Sequence, residues 1–208
     1  MQSHVRALAT ALADAEHVAI VLTHGHGDHA EAAPALAAEI GAEVLGPEGL
    51  DVVDRVLRDG DVVETDEGPL VAVHTPGHTA EHLSFHWPER NALFAGDMVL
   101  GEGDTTWVAE YPGCVAEYLS SIDRIRALAL AVMYPAHGSP LTDPADTLDR
   151  YERHRVSRVR QVEAVMSANP QADAEELLDI VYGATLPAAV RGAARMSLAA
   201  LVEYVREE

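Results

Sequence analysis

Residues 18–29 read Val18-Ala19-Ile20-Val21-Leu22-Thr23-His24-Gly25-His26-Gly27-Asp28-His29. The first half is a short apolar run rich in β-branched side chains, and it predicts a buried strand ending at Thr23. Directly past that end, four side chains able to ligate a metal (His24, His26, Asp28 and His29) stand within six residues. Gly25 and Gly27 alternate with them and predict sharp turns. A helix would not let His24 and His26 face each other. A tight loop lets both turn to one cation while Asp28 and His29 turn to a second. Imidazole nitrogen and carboxylate oxygen suit zinc, at about 2.0–2.2 Å. A purely structural role explains the cluster poorly, because unpaired imidazoles packed this densely repel one another or are forced neutral.

Outward from this stretch, residues 3–15 and 30–40 read as helices, the second stopped by Gly41. Short strands are predicted at 43–45, 61–64, 70–74, 82–86, 92–94 and 132–134, separated by Gly, Pro and Asn turns. Residues 115–128 read as a helix. After Pro144 the strand signals vanish. Leu148, Tyr151, Arg155, Val159, Val162 and Met166 recur every three or four residues, as on a long amphipathic helix. Asn169-Pro170 breaks it, and helices follow at 174–182 and 187–205. The expected organisation is an α/β catalytic domain over 1–144 and a small helical domain over 145–208.

The chain of 208 residues carries 14 Lys+Arg against 34 Asp+Glu, a formal charge of -20, and every cation is Arg. Residues 1–144 hold 6 Arg and 23 acids (net -17), and residues 145–208 hold 8 Arg and 11 acids (net -3). Such a surface disfavours non-specific nucleic-acid binding. The single cysteine, Cys114, excludes an internal disulfide, and no basic neighbour marks it as a nucleophile. No apolar run reaches the roughly 18 residues of a membrane span. No signal peptide is read at the start. A soluble protein of a reducing, cytoplasmic compartment is the expectation.

His24-Gly25-His26-Gly27-Asp28-His29 resembles the H-x-H-x-D-H signature of the metallo-β-lactamase superfamily. Three further segments match that family's pattern in order: Thr75-Pro76-Gly77-His78-Thr79, Ala95-Gly96-Asp97, and Tyr134-Pro135-Ala136-His137-Gly138, where Ala136 stands in place of the commoner Gly. The resemblance implies an αββα sandwich. It implies two Zn²⁺ per chain, one on His24, His26 and His78, the other on Asp28, His29 and His137, with Asp97 bridging. The implied activity is hydrolysis with a metal-bound hydroxide as nucleophile. Asp97 orients it and Asp28 takes up its proton.

Gly96 to Gly103 and the stretch Tyr151-Glu152-Arg153-His154-Arg155 of the long helix resemble the branch of lactamase-beta-like endoribonucleases and relatives of glyoxalase II, which append a winged-helix-like domain. The end of the chain predicts helices without a clear wing. The family's opening strands are not visible here, so an exposed sheet edge is expected, and homo-oligomerisation to cover it is left open. The leading expectation is a dinuclear zinc hydrolase of a small ester, thioester or phosphoester. The alternatives are a single-stranded RNA endoribonuclease, a mononuclear iron oxygenase, and a truncated non-catalytic binding module. Arg153, Arg155, Arg158 and Arg160 read as the solvated side of a helix rather than an RNA track, although such a stripe also suits an acidic substrate tail. His74 and His86 are expected to be structural, and His82 to support the ligands from behind. Residues 104–107 are expected at the pocket mouth. Tyr111 and Tyr118 are expected to pack.

Overall fold

The computed structural model describes residues 2–207. Met1 and Glu208, the outer limits of the two expected domains, lie outside the described residues. The chain opens with α1 (Gln2–Ala11), β1 (Ala19–Val21), α2 (Gly27–Ala30), α3 (Ala33–Ile40), β2 (Glu43–Gly46) and β3 (Arg55–Val56). The helix expected over 30–40 is α3, which starts at Ala33, and the separate short α2 before it overlaps the expected span only at Ala30. Pro34 near the start of α3 suits a fresh helical first turn, and Gly41 closes α3 in the left-handed conformation at φ 68°. The strand β3 has two residues and no periodic signal in the sequence.

A second set follows: β4 (Val62–Val63), β5 (Leu70–His74), β6 (Leu83–Trp87), β7 (Ala92–Gly96), α4 (Cys114–Arg126) and β8 (Val132–Pro135). The first sheet is parallel, in the order β1-β2-β3. The second runs β4-β5-β6-β7-β8, antiparallel except for the β7–β8 pair. Two sheets stacked between helices give four layers. Leu22, Ala30, Ala33 and Val44 form the apolar contact between the first sheet and its helices. Leu45, Leu57, Val63, Ala72 and Phe85 fill the space between the sheets. Leu93 and Met133 on the far face of the second sheet pack with Tyr118, Ile122 and Ile125 of α4.

Strand polarity gathers the loops. β5 and β7 each run antiparallel to β6, and β8 runs parallel to β7, so the C-terminal ends of β5, β7 and β8 lie at one end of the sheet. The end of β1 is tied to the same place, since the Leu83 N–H donates to the Thr23 carbonyl at 2.8 Å. An open, mostly apolar groove of about 520 Å³ lies beside this edge, lined by Val21, Leu22, Phe85, Phe94 and Tyr134.

Three helices complete the chain: α5 (Pro144–Ala168), α6 (Ala174–Tyr182) and α7 (Ala188–Glu207). Asp143 caps α5 by accepting from the Asp146 N–H, and Asp173 with Glu176 forms a capping box on α6. Leu148, Tyr151, Val159 and Val162 of α5 join the same apolar cluster as α4 and β7. Among the described residues no strand follows Pro144, so the likeness to a winged helix is limited to helices and no wing is present.

Candidate metal centre

The strand β1 delivers His24 to the convergent edge, and the chain turns at once into α2. The sharp turns expected at Gly25 and Gly27 are not there. Neither glycine has a positive φ, and Gly27 is the first residue of α2, which places Asp28 and His29 on its opening turn. The Gly25 N–H is instead held by the Glu81 carboxylate at 3.1 Å.

Three groups of ligand atoms converge, each within 4.8 Å of one another: His24 with His26 and His78, His24 with His29 and Asp97, and Asp28 with His29 and His137. All seven residues expected from the motifs are therefore brought together. His26 Nδ1 lies 3.1 Å from His24 Nε2 and 3.0 Å from His78 Nε2. Asp97 sits between the two outer groups. Its Oδ2 is 3.6 Å from both His78 Nε2 and His137 Nε2, and its Oδ1 is 3.5 Å from His29 Nε2. His137 Nε2 is 3.3 Å from both His29 Nε2 and Asp28 Oδ2.

The outward-facing nitrogens set the tautomers. His78 Nδ1–H donates to the Trp107 carbonyl at 2.9 Å. His26 Nε2–H donates to the Glu110 carboxylate at 2.7 Å. With neutral rings, His26 Nδ1 and His78 Nε2 are then both bare acceptors facing each other, with no donor between them. The buried Asp97 Oδ1 makes no well-aligned hydrogen bond, its nearest imidazole being His29 Nε2 at 3.5 Å. Lone pairs and a carboxylate oxygen without an aligned donor, aimed at common points, are what a cation satisfies, so the donor set fits metal ions.

The electrostatics agree. Burial, reinforced by the neighbouring His29 and His78, pushes the His24 imidazole down to about 3. Burial also lowers His78. Burial alone would raise the Asp97 carboxyl, but His29, His78 and His137 outweigh it and hold it down to about 2. Burial thus favours neutral, ligating imidazoles at His24 and His78, whereas at His29 burial is outweighed by Asp97 and Asp28, which raise it.

His82 is fully buried beneath Asp97 and accepts from the Asp97 backbone N–H at 3.2 Å, with its Nδ1 2.9 Å from Thr75 Oγ1. It does support a candidate ligand from behind. Gly96 makes room for it: at φ 54°, a Cβ there would stand 2.4 Å from His82 Nε2. Of residues 104–107, Thr106 is buried and donates to the Asp97 carbonyl at 2.8 Å, while Asp104 and Thr105 are exposed. His74 donates to the Ala80 carbonyl. Cys114 is fully buried and its thiol is raised by that burial. Tyr118 packs in the core with its hydroxyl on the Met98 carbonyl, and Tyr111 donates to Glu117. Glu110 and the Trp107 carbonyl carried no signal in the sequence.

The Arg stretch divides. Arg153 and Arg160 are exposed, but Arg155 is only 4% exposed. The solvated-side reading is therefore corrected for Arg155. It falls on the buried stripe of α5 with Tyr151 and Val159, and its charge is carried inside.

The sequence pattern of the Metallo-beta-lactamase superfamily matches residues 47–137. That span holds His78, Asp97 and His137 and begins after the His24–His29 loop. The Lactamase-like protein aptB of Emericella nidulans is 38% identical over 176 residues, which are 83% of this chain and 55% of that protein. The Beta-lactamase-like protein 2 homolog of Caenorhabditis elegans is 33% identical over 202 residues, 92% of this chain and 66% of that protein. The chain thus spans about half to two thirds of the length of these relatives. The solved structure of a Beta-lactamase domain protein from Burkholderia ambifaria superposes with a TM-score of 0.82 at 20% identity, covering 97% of this chain and 73% of that one, a likeness of fold. Fold, ligand geometry and relatives agree: the chain belongs to the metallo-β-lactamase superfamily.

Proposed function

We propose that the protein is a dinuclear zinc hydrolase of a small ester, thioester or phosphoester. The observation that carries the reading is the convergence of two separate ligand groups on either side of Asp97. His24, His26 and His78 would hold one ion and Asp28, His29 and His137 the other, with Asp97 reaching both. When bound, such a pair supplies Lewis acidity and a water that ionises near neutral pH. The chain supplies the rest. Glu110 and the Trp107 carbonyl fix the tautomers of His26 and His78. His82 and Thr106 hold the Asp97 backbone, so that its carboxylate keeps its place between the groups. Asp28, whose side chain is 61% exposed, is placed to take a proton from the nucleophile and pass it to solvent.

Completeness of the second group, Asp28 with His29 and His137, favours this over a single-iron oxygenase. The acidic body favours a small substrate over RNA. The test is metal content after purification together with hydrolysis of a lactoyl thioester, a phosphodiester and a short unstructured RNA. Two zinc per chain and turnover of a small substrate, abolished in His26→Ala, are expected. Absence of bound zinc, or full activity in His26→Ala, overturns the proposal. Cleavage of the RNA alone replaces it with the nuclease reading.

A further inference from the structure

Three polar side chains near the candidate ligands are fully buried: Thr75 just past the end of β5, His82, and Ser84 on β6. Polar atoms in such a place cost stability unless each is paired. These are paired in a chain whose direction can be read. The Asp97 N–H donates to His82 Nε2 at 3.2 Å. That nitrogen is therefore bare, and the neutral ring carries its hydrogen on Nδ1. His82 Nδ1 lies 2.9 Å from Thr75 Oγ1, so the ring donates to the hydroxyl. Thr75 Oγ1 lies 2.9 Å from Ser84 Oγ, and Ser84 Oγ donates to the Ala95 carbonyl at 3.4 Å. With the serine hydrogen committed there, the threonine hydrogen goes to Ser84. The Val73 carbonyl, at 3.5 Å, is its longer alternative.

Every donor in this chain points the same way, and a network so ordered is stiffer than its separate bonds. Its two ends fall on either side of one residue. It starts at the Asp97 N–H and finishes at the Ala95 carbonyl, so it closes a ring across Gly96. Gly96 is where the backbone turns off the strand: its φ is 54°, and the β7–β8 register shifts between Phe94 and Gly96. The carboxylate that lies close to both His78 and His137 belongs to the very next residue. A turn held at both flanking peptide groups sets the direction in which that side chain leaves the backbone.

We propose that Thr75 and Ser84 are positioning residues for Asp97. Acting through His82, they fix the turn at Gly96 and so aim the Asp97 carboxylate between the two ligand groups. The consequence for zinc rests on the two-ion reading above, whereas the chain of hydrogen bonds does not depend on it.

Histidine-ring and backbone NMR on the metal-free full chain tests the chain of bonds, and chelator competition on the zinc-loaded protein tests its consequence. In the wild type His82 is expected as the Nδ1–H tautomer. Thr75→Val removes the hydroxyl at nearly constant shape. The Nδ1–H then has no acceptor, so the Nε2–H tautomer appears and the Asp97 amide signal moves as its own acceptor is lost. Both zinc steps should weaken by about tenfold, because both groups share Asp97. Thr75→Ser restores the hydroxyl and should return all three readings toward wild type. A merely structural role would lower the melting temperature and leave the tautomer unchanged. Ser84→Ala breaks the last link and leaves the Thr75 hydroxyl to the Val73 carbonyl, so the same changes should appear at about threefold in zinc affinity. Should Thr75→Val fail to fold, the wild-type tautomer and Ser84→Ala decide. An Nε2–H tautomer in the wild type, a tautomer unmoved by loss of the Thr75 hydroxyl, or zinc steps that do not both weaken overturns the proposal. If the wild type holds no zinc, the two-ion reading fails, while the tautomer and the Asp97 amide still decide the chain of bonds.

Discussion

The two groups of ligand atoms that share Asp97 are built differently. His24 and His78 are buried, and both His26 and His78 are anchored from behind by a hydrogen bond to Glu110 or Trp107. In the other group, Asp28 is 61% and His137 49% exposed at the side chain, and Asp28 and His29 ride on a helix of four residues. The first group is anchored from behind and buried at His24 and His78, with His26 33% exposed at the side chain. The second opens to solvent through Asp28 and His137, with His29 10% exposed. Preorganisation lowers the cost of gathering like groups around an ion, so the first group should bind more tightly and the second should exchange faster and face the substrate.

The largest expected effect comes from breaking the tight side. His26→Ala removes the atom that approaches both His24 and His78, and hydrolysis should fall on the order of a thousandfold, with zinc content following. Asp28→Asn strikes only the open side. Metal analysis should then show one ion retained and one lost, with activity reduced by roughly a hundredfold. If both ions leave together, the groups are not independent. Glu110→Gln leaves every candidate ligand in place and weakens only the backing of His26. Zinc affinity of the tight side should drop by about 10–100-fold in a competition titration, while the open side is unchanged.

Gly96→Ala perturbs the shared residue. The added methyl meets His82 at a left-handed backbone position, so thermal unfolding should show a loss of about 1–3 kcal/mol, and both sides should bind less well. The smallest effect lies outside both groups. Burial would raise the Asp59 carboxyl, but Arg124, at 2.7 Å, and the His74 N–H outweigh it and lower it. A lowered carboxyl stabilises the fold above its unfolded pKa and loses that contribution as pH falls through the folded value. The pair is half-exposed, so Asp59→Asn should cost less than about 1 kcal/mol near neutral pH. The difference between the two proteins should vanish in acid, with zinc content untouched.

The candidate ligands were legible because each stands in a short local pattern at a strand end, and strand ends are where parallel polarity collects loops. The inward placement of Arg155 was legible too, since it kept the spacing of Leu148, Tyr151 and Val159. What the chain did not advertise is long-range. Glu110 meets His26 across 84 positions, and the Trp107 contact is made by a backbone carbonyl that any residue would offer. Gly25 and Gly27 were misread because alternation with histidine suggested turns, whereas helix α2 begins at once. The break between α2 and α3 was hidden in one run of alanines, with only Pro34 to mark it.

Zinc stoichiometry measured against a graded chelator tests the central claim most directly. Two ions are expected to leave in two steps, the weaker step disappearing in Asp28→Asn and the tighter one shifting in Glu110→Gln. A single step of one ion, indifferent to Asp28→Asn, would contradict the division of these side chains into two sites.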